Sequence, residues 1–273
     1  MFYKIGNNST ISFSNNYVKI TLLKGDNIMS NFKIEKLESI GSTNAYAIKN
    51  IDSLEDKHVI ATKHQTAGKG RQGRTWLSDG SSNAYVSIVL KPNKLLKNYP
   101  YSNLTQYASV IICKVLEKKY NLSPTIKWPN DILVDGAKIA GILCEAINKN
   151  NNIDALILGF GVNLNMQLNT LLAIDQKATS LNLLTEKTID ADGFIEDVLS
   201  EFFENYENFI NIGFPYIKKE YKEKTNFIGK ETKIRTTGGI KEYLIIGINN
   251  DGTLEAKDEN GHQIKILTGD ILI

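Results

Sequence analysis

Three short clusters of this sequence hold side chains with the means to do chemistry. The first is Gln65-Thr66-Ala67-Gly68-Lys69-Gly70-Arg71-Gln72-Gly73-Arg74-Thr75-Trp76, where three cations lie among three glycines. Glycine lets the backbone approach a ligand closely, and the cations supply charge-assisted donors to an anion. The second is Lys127-Trp128-Pro129-Asn130-Asp131, which places a cation, an aromatic ring, an amide and a carboxylate at a strand end. Pro129 restricts Trp128 to an extended backbone and favours a bend presenting Asn130 and Asp131 together. The third combines Lys138, the sole charge in the run Lys138 to Leu143, with Gly159-Phe160-Gly161-Val162-Asn163. An ammonium in such a run is costly unless it meets an anion or its stem reaches water.

Two nucleotide motifs fit the glycine loop by letter and fail by context. Gly68-x-Gly70-x-x-Gly73 satisfies the dinucleotide fingerprint, but that reading needs a helix next and an acidic residue about 20 positions on. Here Ser78-Asp79-Gly80-Ser81-Ser82 and a strand follow, and Asn93 stands where the acid belongs. The phosphate-binding P-loop needs a helix N-terminus and a lysine where Arg74 stands.

The surrounding pattern shows what must position these clusters. Phe32-Ile34-Leu37 reads as a strand, Ser42-Thr43 as a helix start, and His58 to Thr62 as a short strand running into the glycine loop. Ala84 to Leu90 is a further strand, and residues 103–120 keep an amphipathic helical period. Strands then dominate to Gly161, with Asp135-Gly136 a two-residue hairpin signal. Residues 192–210 form a second helix with one apolar face. From Asn226 to Ile273, short β runs alternate with Gly238-Gly239, Asn250-Asp251-Gly252 and Asn260-Gly261 turns, the texture of a small β-barrel.

Composition sets the outer bounds. The 273 residues, 42% hydrophobic and 23% charged, suit one large globular domain plus a small one. A formal charge of +2 offers little for sequence-independent binding of nucleic acid. The two cysteines, Cys113 and Cys144, sit in apolar runs and point to inert packing in a reducing, cytoplasmic setting. The chain lacks both a membrane-length apolar run and a secretory signal, so it is expected to stay where it is made. Residues 1–28 are polar and rich in Asn and Ser, and are expected to be a disordered or non-native tail, with native translation starting at Met29.

Together, Ser42-Thr43-Asn44, Gln65 with Gly68 to Arg74, Trp76, Lys127 to Asp131, Lys138 to Leu143 and Gly159 to Asn163 resemble the biotin protein ligase family in order and spacing. The resemblance spans residues 32–273. It implies an α+β fold: a mixed β-sheet catalytic domain with packed helices over residues 29–225, of the class II synthetase-like biotin/lipoate ligase type, and an SH3-like β-barrel over 226–273.

The implied reaction has two steps. The biotin carboxylate attacks the α-phosphate of ATP, giving biotinyl-5′-AMP and pyrophosphate; a lysine of a biotin carboxyl carrier domain then takes the acyl group. The resemblance assigns Arg71, Lys138 and Asp131 to catalysis, and Ser42, Thr43, Asn44, Gln65, Lys69, Gly70, Arg71, Lys138 and Gly141 to biotin. Arg74, Trp76, Lys127, Asn130 and Asn163 fall to ATP, with Trp76 covering the adenine. Asp131 either holds Mg2+ with ATP or orients the attacking amine.

Two departures from the family pattern stand out. Lys69 replaces a frequent arginine, giving a point charge where a planar two-pronged grip is usual, so the adenylate is expected to escape faster. The 41 residues before Ser42 show no helix-turn-helix pattern, so a ligase without operator DNA binding is expected. A homodimer through an exposed sheet edge is open. The rival reading is a lipoate or octanoate ligase or transferase of the same architecture, against which Lys127 to Asp131 and the arginine-bearing loop argue.

Overall fold

Ala84 to Leu90 are buried at every position, which requires apolar cover on both faces of that strand. The computed structural model describes residues 32–91, 100–150 and 152–272 in full, with strand backbone at 2–4, 9–14, 17–24 and 27–28. In chain order the strands of the larger unit are β1 (Phe2–Lys4), β2 (Ser9–Ser14), β3 (Tyr17–Lys24), β4 (Asn27–Ile28), β5 (Lys33–Leu37), β6 (His58–Thr62), β7 (Gly68–Lys69), β8 (Thr75–Trp76), β9 (Ala84–Leu90), β10 (Thr125–Lys127), β11 (Asp131–Val134), β12 (Ala137–Lys149) and β13 (Asn152–Val162). Helices are α1 (Thr43–Lys49), α2 (Ser102–Tyr120), α3 (Leu168–Leu172), α4 (Leu181–Thr185), α5 (Ala191–Ile212) and α6 (Lys218–Glu223).

The main sheet runs β1-β2-β3-β5-β6-β9-β13-β12-β11-β10, with β4 on β3. It is mixed, since β5 and β6 are parallel and the other pairs are antiparallel. Its two faces follow the period of two. Val59, Ala61, Ile88 and Leu90 join α2 and α5 in the large core, whereas Ile60, Val89 and Ile157 pack with Ala47 of α1. Tyr107 of α2 stacks on Phe209 of α5 with ring centroids 4.3 Å apart, tying the two covering helices together. Asp135 and Gly136 make the expected hairpin turn with φ of 51° and 72°, and Val134 pairs Ala137 across it. Burial keeps both thiols protonated: Cys144 is pushed up to about 12 and Cys113 is also raised.

Strand backbone lies in the segment expected as a tail, where β3 pairs with β5. The expected start at Met29 falls outside the described residues.

The C-terminal unit comprises β14 (Glu231–Thr236), β15 (Gly239–Ile248), β16 (Leu254–Lys257), β17 (Gln263–Ile266) and β18 (Asp270–Leu272). These strands form an antiparallel sheet in the order β17-β16-β15-β14-β18. The expected small SH3-like barrel is thus a five-stranded sheet that does not close: the turns set the hairpins, but β17 and β18 lie at opposite ends of the order and do not pair. The turn before β16 plugs into the larger unit. Trp128 Nε1 donates to Gly252 O at 3.1 Å, Gln106 Nε2 to the same oxygen at 2.7 Å, and Asn103 Nδ2 to Asp251 O at 2.9 Å.

Candidate functional site

The glycine loop folds as a small hairpin, β7 against β8, and its tip reaches the tryptophan-bearing bend. Arg71 Nη1 donates to Asn130 Oδ1 at 3.0 Å. Asn130 is itself fixed, because its Nδ2 donates to Ile142 O at 2.9 Å while its carbonyl accepts from Ile142 N at 3.0 Å. The two motifs read from the sequence therefore converge on one cleft, open to solvent. Ser42, Thr43, Asn44, Gln65, Lys69, Gly70, Arg71, Arg74, Trp76, Asn130, Asp131, Lys138 and Gly141 all line it. Lys127 and Asn163 line an adjoining cleft, which shares Arg74, Trp76, Lys138 and Asp270 with the first.

Buried Asp131 holds two of the site's lysines. Its carboxylate lies 2.8 Å from Lys138 Nζ and 3.7 Å from Lys127 Nζ, so the ammonium of Lys138 is paired rather than stranded in its apolar run. Lys138 Nζ also sits 5.2 Å from the centroid of a Trp76 ring. The indole lies flat against the sheet where Gly141 and Gly161 face each other in register. A Cβ at Gly141 would come within 2.6 Å of Trp76 Cζ3, and one at Gly161 within 2.8 Å of Cε2. Only glycine leaves room for the ring there. Trp76 Nε1 is buried without a hydrogen-bond partner, as is Oδ1 of buried Asn163, whose Nδ2 donates to Thr179 O at 3.0 Å. Buried polar atoms are normally paired, so orphans at the wall of a cleft point to a ligand.

At the other end, Ser42 caps α1 and its Oγ accepts from Ala45 N at 3.4 Å. Gln65 Oε1 accepts from Thr43 N at 2.8 Å and lies 3.2 Å from Thr43 Oγ1, which leaves Gln65 Nε2 as a donor. Asn44 has both ends of its amide engaged: Nδ2 donates to Glu145 Oε2 at 2.7 Å, and Oδ1 accepts from Ser87 Oγ at 2.5 Å.

Sequence reasoning missed Ser87, Glu145, Gln176 and Asp270. Ser87 is a lone small polar residue on an otherwise apolar, fully buried strand, and Glu145 interrupts the apolar run from Ile139 to Ile147, both usable signals. Asp270 gave none. From the C-terminal sheet it pairs with Arg71 Nη1 at 3.1 Å and with Arg74 Nη2, linking residues nearly 200 positions apart.

The donor set does not suit a protein-held magnesium ion. Both oxygens of Asp131 face ammonium groups, and no group of three metal-capable side chains occurs among the described residues. Magnesium binds through carboxylates and substrate phosphates, so any ion here would come with the phosphates. No helix among the described residues is long and apolar enough to cross a membrane.

Residues 37–163 match the biotin/lipoate A/B protein ligase family, and residues 227–273 match the biotin protein ligase C-terminal domain. The bifunctional ligase/repressor BirA of Bacillus subtilis is 33% identical over 228 residues, covering 83% of this chain and 69% of that protein. A biotin–[acetyl-CoA-carboxylase] ligase of Paracoccus denitrificans is 28% identical, covering 82% and 93% respectively. The structure of the biotin protein ligase of Aquifex aeolicus in complex with biotin and ATP aligns with a TM-score of 0.76 at 27% identity, over 88% of this chain and 97% of that one.

Proposed function

The chain belongs to the biotin/lipoate A/B protein ligase family, and from that premise we propose that it joins biotin to a carrier-domain lysine at the expense of ATP. One observation carries the reading: Arg71, Asn130 and the Asp131–Lys138 pair meet at a single cleft. Two anions must be brought into contact there, which demands positioning and cationic neutralisation.

In the first step a biotin carboxylate oxygen forms a bond to the α-phosphorus of ATP, and the bond to the bridging oxygen breaks, releasing pyrophosphate. Lys138, held by Asp131, offsets the charge gathered between the two anions. Arg71 and Lys69 hold the carboxylate and phosphate. Gln65 Nε2 and the hydroxyls of Ser42 and Thr43 face the ureido end of biotin. Asn44, fixed by Ser87 and Glu145, orients α1 beside them. Trp76 flanks the adenine, and the orphan Asn163 Oδ1 accepts from a nucleotide donor. In the second step the amine of the acceptor lysine attacks the acyl carbon, AMP leaves, and the amine loses a proton. The acceptor is a biotin carboxyl carrier domain of a carboxylase. A homodimer, a cytoplasmic setting and the absence of DNA binding belong to the same proposal.

The match of residues 227–273 to the biotin protein ligase C-terminal domain favours biotin over lipoate or octanoate. The test mixes protein, Mg2+–ATP and a carrier domain with either biotin or lipoate, and follows the carrier by mass. Biotinylation is expected. Modification with lipoate alone would replace this reading with the rival one.

A further inference from the structure

We propose that Ser87 and Glu145 are positioning residues that preset the hydrogen-bonding polarity of the biotin end of the cleft, so that it matches a cyclic urea. The inference rests on the ligase reading above and adds two residues that do not themselves line the cleft.

A chain of polar side chains runs between elements far apart in sequence. It starts at Glu145 on β12, passes through Asn44 on α1 and Ser87 on β9, returns to Thr43 on α1 and ends at Gln65. Asn44, Ser87, Thr43 and Gln65 are all buried, so each bond is strong and a missing partner is costly.

The direction of each bond follows from its neighbour. A carboxylate only accepts, so the Asn44 atom 2.7 Å from Glu145 Oε2 is the donor Nδ2, which also points to Leu143 O at 3.4 Å. Asn44 Oδ1 is thereby turned to Ser87 and takes its one hydroxyl proton across 2.5 Å. With that proton committed, Ser87 Oγ accepts from Thr43 Oγ1, 2.8 Å away. Thr43 Oγ1 then shows the cleft a lone pair. Gln65 Oε1 is engaged by Thr43 N at 2.8 Å, so Gln65 shows the cleft its Nε2 donor. An acceptor beside a donor suits the N–H and C=O of a urea, and suits neither the dithiolane of lipoate nor a plain alkyl chain.

Glu145→Gln keeps the shape of the side chain and adds a donor. The Asn44 amide is then free to turn over, giving Oδ1 to the new Nε2 and Nδ2 to Ser87. Ser87 passes its proton to Thr43, and the Thr43 hydroxyl meets the ligand as a donor. The KM for biotin in pyrophosphate release is expected to rise about tenfold, with that for desthiobiotin, which keeps the urea, rising in parallel. The KM for ATP, kcat and the thermal midpoint should stay near those of the wild type. Adding Asn44→Asp to Glu145→Gln moves the carboxylate one link along at constant net charge and again makes Ser87 the donor, so the biotin KM should return toward the wild-type value. In a Ser87→Ala background, where the link to Thr43 is cut, Glu145→Gln should have no further effect. An unchanged biotin KM in Glu145→Gln overturns the inference, as does an equal rise in the KM for ATP. Failure of Asn44→Asp to restore the biotin KM, or additive losses with Ser87→Ala, would assign Glu145 to packing and overturn it as well. Wild-type enzyme run alongside separates the two levels: no biotin-dependent pyrophosphate release from it overturns the ligase reading itself.

Discussion

The two tryptophans lie on either side of the same cluster and do opposite work. Trp128 is 2% exposed, and its indole nitrogen is satisfied by Gly252 O of the C-terminal sheet. Trp76 is only partly buried, rests on two glycines, and has an indole nitrogen without a partner. A satisfied, enclosed ring holds two units together, whereas an unsatisfied ring on a cleft floor waits for a ligand. One short motif, Lys127 to Asp131, thus serves both purposes: Trp128 faces the interface, and Asn130 and Asp131 face the site.

Substitutions can break this contrast. Trp128→Ala removes a buried ring and is expected to cost about 3–5 kcal/mol of unfolding free energy, measured by urea denaturation, with activity falling only as folded protein is lost. Trp76→Ala should show the reverse, with a thermal midpoint near that of the wild type and an ATP KM raised about tenfold or more from loss of aromatic contact with the base. Equal stability losses in the two variants would erase the distinction. Gly161→Ala tests the floor from below. Its methyl group collides with the indole, so the variant should copy the kinetic defect of Trp76→Ala while retaining its fold.

Smaller effects sharpen the account. Arg71→Ala should let biotinyl-5′-adenylate dissociate about tenfold faster, and Lys69→Arg should slow its escape a few-fold, both read by gel filtration of the labelled adenylate. Unchanged release in both would remove these side chains from the anion site. The smallest expected effect lies far from either tryptophan. His58 is buried against Glu35, 3.2 Å away, with Tyr46 donating to the same carboxylate and Lys33 and Glu55 nearby. Burial is the largest influence and draws the imidazole below its ordinary 6.5, against the pull of Glu35. The unfolded chain therefore takes up a proton that the folded chain resists, and stability should decline as pH falls below about 6.5. His58→Gln should flatten that slope.

Local patterns made much of this legible. The helical periods of α2 and α5, the Asp135-Gly136 turn and the motif clusters each depend on residues close in sequence, where spacing encodes geometry. Asp270 was invisible for the opposite reason, since its value depends on a C-terminal sheet docking beside a loop nearly 200 residues earlier. Whether that sheet closes was equally hidden, because closure depends on which edges meet rather than on any one strand. The pairing of Asp131 with two lysines likewise depends on side chains that only the fold brings together.

Hairpin and bend form one cleft, proposed above as the place where a carboxylate meets ATP. Exchange of labelled pyrophosphate into ATP tests it most directly, because it reports the first step with no acceptor present. Exchange should require biotin and fall at least about a hundredfold in Lys138→Ala, of the order that loss of a transition-state charge partner produces. Exchange without biotin, or undiminished in Lys138→Ala, would contradict it.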